Sequence, residues 1–131
     1  MANGGLLMFS VTVDLERGCV ETCIRGFWTP DMLDDFSASL AKAILQVRAT
    51  GRAPVSLCDY SDATVQSQEV VAGFVGMMKN PAVRSRRVAV YTGRVLPKLQ
   101  AERANLDHAE FRFFTDKDEA RAWLFEERVE G

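Results

Sequence analysis

The sequence predicts an α/β fold in the order ββαβαβαβα. It reads as a five-stranded mixed sheet with an antiparallel first strand, four further parallel strands in near-sequential order, and helices mainly on one face. Three observations predict this. Apolar residues recur at period two over short runs and at spacings of three and four over longer ones, and the two periods alternate along the chain. Each of the last four strands is separated from the next by one helical segment, so right-handed crossovers lay them side by side and parallel. Finally, the strands alternate large apolar residues with Ser10, Thr12, Ser56, Ala89 and Arg112, whereas strands covered on both faces run apolar throughout. The thinly covered face is a candidate for self-association.

Taken in order, Leu7, Phe9, Val11 and Val13 share one face of a first strand. The segment Leu15 to Gly18 supplies a turn, and Val20, Thr22 and Ile24 alternate with Cys19, Glu21, Cys23 and Arg25 in a second strand, which completes a hairpin. Gly26 to Asp31 forms a helix entrance: Thr29 caps free N–H groups, Pro30 fits the first helical position, and Asp31 faces the positive end of the dipole. Leu33, Phe36, Leu40, Ile44 and Val47 form one stripe, so a first helix is predicted from Pro30 to Thr50, ended by Gly51.

Strand three is predicted from Pro54 to Asp59, ending in a polar loop. A second helix follows from Ser67 to Lys79, with Val70, Val71, Phe74, Val75 and Met78 as its core face and Pro81 beyond its stop. Gly73 and Gly76 each cost about 1 kcal/mol relative to Ala in a helix interior, which marks them as a packing seam. Strand four is Arg87 to Tyr91, and a third helix carries Pro97 in its first turn and ends near Asn105. Strand five runs from Glu110 to Phe113 or Phe114. Thr115 to Asp118 resembles a capping box, and Ala120, Trp123 and Leu124 form the stripe of the last helix.

Composition sets the outer bounds. A chain of 131 residues, 47% hydrophobic and 26% charged, has the size and balance of one globular domain spanning residues 1–131. A formal charge of −2 gives no general pull toward nucleic acid or anionic lipid, and Arg84, Arg86 and Arg87 read as a solvated edge. No run approaches the roughly 18 apolar residues of a membrane span. Residues 1–9 lack the basic start and the length of a signal sequence. Three cysteines on such a chain read as reduced thiols in the cytoplasm.

No assembled catalytic or metal set stands out. Cys19 and Cys23 on one strand lie roughly 13 Å apart at the strand rise, whereas two thiolates on one zinc lie within about 4 Å. His108 falls in a polar turn, and without a second histidine or a nucleophile motif no Ser-His or Cys-His machine is indicated. No cofactor is implied. The informative stretch is the carboxyl end of strand three, because ligands of parallel sheets gather outside the strands' carboxyl ends. Asp59, Tyr60, Ser61 and Asp62 stand there. Trp28, Tyr91, Thr92 and Arg94 end neighbouring elements at the same edge, and their rings and one cation suit a small apolar or acidic molecule. Turn formation by Asp and Ser, which bond nearby backbone groups, accounts for the polar residues without a ligand and is the simpler reading.

The element order, the strand Val55 to Asp59 followed by Tyr60 and Ser61, and the helix opening near Ser67 together resemble the STAS domains, the anti-sigma-factor-antagonist-like fold. More narrowly, Arg112 to Asp116 and Ala120 to Leu124 resemble the late segment of uncharacterised bacterial STAS-like proteins. The resemblance implies a regulatory module that binds proteins. In phosphorylatable members the target serine opens the helix after the third strand. Ser67 is the matching position, with Ser61 the other serine of this edge, although the Asp and Gly of that family's Asp-Ser-Ser-Gly pattern are absent. The general fold is also similar to the CRAL-TRIO lipid-binding domains, which keeps an apolar ligand as the alternative. The expectation is therefore a non-enzymatic regulatory or protein-interaction module, able to bind a partner or form a homodimer. A small-molecule or lipid-binding domain is the second reading.

Overall fold

The computed structural model describes residues 9–63, 67–92 and 110–126. It contains β1 (Phe9–Asp14), β2 (Cys19–Gly26), α1 (Pro30–Arg48), β3 (Val55–Ala63), α2 (Gln68–Met78), a 3-10 turn (Pro81–Val83), β4 (Arg87–Tyr91), β5 (Phe111–Phe114) and α3 (Lys117–Leu124). The helix expected near 97–105, together with Arg94 and His108, lies outside the described residues.

The strands form one sheet in the order β1-β2-β3-β4-β5. β1 pairs antiparallel with β2 in an unbroken register from Phe9 opposite Ile24 to Asp14 opposite Cys19. The remaining pairs are parallel. The hairpin closes where the Asp14 carboxylate accepts the Arg17 N–H at 3.2 Å and Gly18 takes φ 68°, a left-handed conformation that glycine adopts without steric cost.

α1 begins as its sequence requires. The Thr29 hydroxyl accepts the Met32 N–H at 3.4 Å, and Leu33, Phe36, Leu40, Ala43, Ile44 and Val47 are buried. The helix stops at Arg48, two residues before the predicted end, with Ala49 as its cap and Gly51 at φ 87° just beyond. The Arg48 guanidinium donates to the carbonyls of Pro81 at 3.0 Å and Arg84 at 2.9 Å, which ties the helix end to the loop before β4.

α1 and α2 pack on one face of the sheet over Val20 and Ile24, sharing a core with Trp28 and Val83. α3 lies on the other face, where Ala120 and Leu124 cover Cys19, Val55, Leu57 and Ala89. The period-two alternation thus feeds two unequal layers. Toward β1 and β2 the α3 face is open, and it forms a polar groove of about 280 Å³ bordered by Ser10, Thr12, Glu21, Cys23, Asp59 and Lys117. The thinly covered face expected from the sequence is therefore polar.

Four local expectations change. On α2 the buried residues are Val70, Phe74 and Met77, so the core stripe sits one step away from Val71, Val75 and Met78. A Cβ added to Gly73 would stand 2.3 Å from the Leu33 side chain, while nothing lies within 4 Å at Gly76. The seam is therefore Gly73 alone, and it meets a side chain rather than a backbone. The cap of α3 is Asp116, whose carboxylate accepts the N–H groups of Asp118 at 2.8 Å and Glu119 at 3.4 Å; an ionised cap draws further support from the helix dipole. Finally, Arg87 is not on a solvated edge. It is buried, its guanidinium donates to the Trp123 carbonyl and lies 5.1 Å from the centre of the Trp123 ring.

Candidate functional site

β2, β3, β4 and β5 run parallel, so Gly26, Ala63, Tyr91 and Phe114 end them at one edge of the sheet. β3 does not stop at Asp59 as its sequence suggests. It continues to Ala63 through an irregularity: Cys23 pairs with Asp59 and Arg25 with Asp62, so β3 holds one more residue than β2 between the two pairs. Such a bulge bends a strand and re-aims its side chains.

Asp59 organises the bulge. Its Oδ1 accepts the Ser61 N–H at 2.9 Å and the Ser61 hydroxyl at 2.5 Å, while its Oδ2 accepts from Lys117 Nζ at 3.1 Å. Polar residues read as a terminating loop thus satisfy one another inside an extended strand. Burial works to raise the Asp59 pKa, but the hydrogen bonds from the Ser61 hydroxyl and N–H, and then the Lys117 ammonium, outweigh it and hold the carboxyl below its ordinary range. A carboxylate so stabilised is a weak proton acceptor. Its geometry is that of a structural tie between the bulge and the first residue of α3.

The residues grouped at this edge by sequence separate in space. Trp28 is 1% exposed. Its indole N–H donates to the Arg25 carbonyl at 2.9 Å, and its ring stacks on Phe74 at 5.7 Å and meets Phe36 edge-on at 5.4 Å. Tyr60 turns to the same face, 6.4 Å from Phe74, and burial raises its phenol pKa. Tyr91 pairs with Asp59 in the β3–β4 register and packs on the α3 face, with Lys117 Nζ 6.0 Å from its ring centre. Thr92 is fully buried, and its N–H donates to the Phe114 carbonyl at 3.1 Å. The described members of the expected pocket, Trp28, Tyr60 and Tyr91, therefore lie on two sides of the sheet and enclose no common space. Beneath Tyr60 the apolar gap lined by Phe36, Phe74 and Met77 has a volume of about 20 Å³, near the size of one water.

What remains accessible is Phe27, at 57% exposure. Gly26 turns the chain at φ 72°, which sends Trp28 inward to share a core with Leu33 and leaves Phe27 outward. Phe27 and Trp28 stand side by side before α1, and nothing local distinguishes which ring enters the core. Across the edge, Asp62 is exposed and Ser61 and Ser67 are partly so. The Ser67 hydroxyl accepts the Val70 N–H at 3.2 Å and caps α2.

The cysteines are thiols. Burial first, then the Glu21 carboxylate, pushes Cys19 up to about 12, and burial pushes Cys58 up to about 11. Neither favours the reactive thiolate at neutral pH. Among the described residues no three His, Cys, Asp or Glu side chains are grouped to hold a metal ion, and no helix is long and apolar enough to cross a membrane.

A sequentially ordered mixed sheet with an antiparallel first strand and, among the described residues, two helices on one face and one on the other defines an α/β protein of the SpoIIAA-like, or STAS-like, fold. The particular likeness is to the crystal structure of an uncharacterised protein of the DUF3478 family with a SpoIIAA-like fold from Shewanella loihica PV-4. The TM-score is 0.65 at 20% sequence identity, over 88% of this chain and 93% of that one. No family model and no curated protein matches the sequence. The STAS-like resemblance carried by the element order and by the segments around Ser67 and Ala120 thus holds at the level of the fold.

Proposed function

We propose that this chain is a non-enzymatic, cytoplasmic regulatory module that binds a protein partner through the carboxyl edge of its sheet. The observation that carries the reading is the exposed Phe27 ring beside the ordered, acidic end of β3. An exposed aromatic residue on an edge that also carries the exposed Asp62 and the partly exposed Ser61 has the composition of a contact centre with polar neighbours. The groups with most chemical potential are already engaged: Asp59 by Ser61 and Lys117, and Trp28 by the core. That favours recognition over catalysis and over an enclosed apolar ligand.

Ser67 and Ser61 are the serines through which such a module would be switched, and their surroundings differ. A phosphate on Ser67 would sit at the N-terminus of α2, where the dipole and free N–H groups favour negative charge. A phosphate on Ser61 would stand against the Asp59 carboxylate and be repelled. Ser67 is therefore the site assigned to regulation.

Native mass spectrometry of the chain purified from its source cells tests both parts. The expected spectrum holds the apo chain and a complex with a second polypeptide, and peptide mapping places any phosphate on Ser67. A small molecule bound one to one would overturn the reading in favour of a ligand-binding domain. Phosphate found only at other positions would remove Ser67 as the switch.

A further inference from the structure

The outer edge of β1 is a second surface with its own character. β1 is terminal in the strand order, so every second residue directs its N–H and C=O away from β2, unpaired by any other described strand. Proteins ordinarily blunt such edges with charge, proline, bulges or short length. β5, at the opposite edge, has four residues and carries the exposed Arg112. β1 has six residues, pairs with β2 without a bulge, and reaches its first charge only at Asp14. Nothing within β1 itself discourages a further strand.

Beside this edge runs α1, and between them lies a groove of about 420 Å³. Its strand wall is Phe9, Ser10, Val11 and Val13, and its helix wall is Ser39, Lys42, Ala43 and Gln46. Those helix residues are spaced by three, one and three, so they line one side of α1. The groove is therefore apolar along the strand except at Ser10 and carries one charge, the exposed Lys42 ammonium, which has no ion-pair partner among the described residues. An edge strand flanked by a helix is the arrangement in which an extended peptide adds as a further strand. Main-chain hydrogen bonds then supply affinity, and pockets for alternate side chains supply specificity.

We propose that this groove receives an extended peptide segment of another protein, with apolar side chains at alternate positions and an acidic side chain between them facing Lys42. A second copy of this chain is the poorer occupant. A two-fold pairing of β1 centred on Val11, with Phe9 opposite Val13 of the other copy, adds a second Lys42 ammonium and no acidic side chain from the groove lining. A second like charge with no acidic partner opposes association. The Phe9 end of the groove adjoins Trp28, with ring centres 5.8 Å apart, but the lining contains none of Phe27, Ser61, Asp62 or Ser67, so the site rests on different residues from the function proposed above and is tested independently of it.

The probe is a capped peptide, Thr-Val-Thr-Glu-Thr-Val-Thr, titrated into the isotopically labelled full chain and followed by amide chemical shifts. A second peptide with Lys in place of Glu serves as the comparison. The proposal predicts shifts confined to β1 and to Ser39, Lys42, Ala43 and Gln46, with the acidic peptide binding about two- to fivefold tighter, the range of one exposed ion pair. In Lys42→Glu the preference reverses, and because Lys42 is exposed the unbound spectrum stays that of the folded chain. Absence of shifts at millimolar peptide, shifts located elsewhere, or a preference that ignores the Lys42→Glu exchange overturns it. So does light scattering that shows a dimer whose amide protection covers β1, which would make a second copy the occupant.

Discussion

Asp59 shows how a side chain read as local turn chemistry can also hold a distant element. Its position after a buried strand allowed a turn or a ligand contact; one oxygen is taken by Ser61 and the other by Lys117, and the consequence is a pH dependence. Because its folded pKa is depressed, it contributes stability that is complete above its unfolded value, about 3.9, and is lost as pH falls through the lower folded value. Asp59→Asn is expected to cost about 1 kcal/mol at pH 7, since the Lys117 share is screened by solvent. The same substitution should reduce the loss of stability between pH 5 and pH 3. Urea denaturation of both proteins at three pH values checks this; a variant with unchanged acid sensitivity would show that the bulge does not depend on the carboxylate. The identity of Asp59 was legible, and its partners were not. Ser61 is two residues away, but Lys117 arrives from an element 58 positions on.

At the scale of elements, periodicity placed the described strands and helices, with the largest end error at β3, which runs four residues past Asp59 to Ala63; caps and turns write local signals elsewhere: Thr29 before α1, Ser67 before α2, Gly51 after α1. What periodicity could not supply was which of several similar residues faces a neighbour. Gly73 and Gly76 look alike in the sequence, and the structure separates them. Gly73→Ala drives a methyl into the buried Leu33 side chain and is expected to destabilise by about 1–2 kcal/mol, the overpacking cost exceeding the helix-propensity gain. Gly76→Ala meets open space and should stabilise by about 0.5–1 kcal/mol. Denaturant midpoints of the two variants give the answer, and changes of the same sign would mean that α2 does not pack on α1 through Leu33. The α3 cap has a similar lesson: Thr115 and Asp116 are both capping residues, and only the path of the chain out of β5 selects Asp116.

At the scale of the whole molecule, the alternation of large apolar with small or polar residues correctly indicated strand order and unequal coverage of the two faces. It could not give the interstrand register. Asp59 opposite Tyr91 sends Tyr60 to the other side of the sheet and separates two of the rings that had been grouped at one edge. Nor could it decide between Phe27 and Trp28, since the turn at Gly26 hides one ring and presents the other. The central claim is that the presented ring marks the partner surface. Leu45 offers a built-in comparison, being 66% exposed against 57% for Phe27 but situated in the later half of α1. The most direct measurement replaces each residue in turn with a photo-crosslinking phenylalanine analogue and illuminates cells of the source organism. A discrete protein crosslinked from position 27 and not from position 45 is the predicted result. Equal crosslinking from both positions, or from position 45 alone, would contradict it.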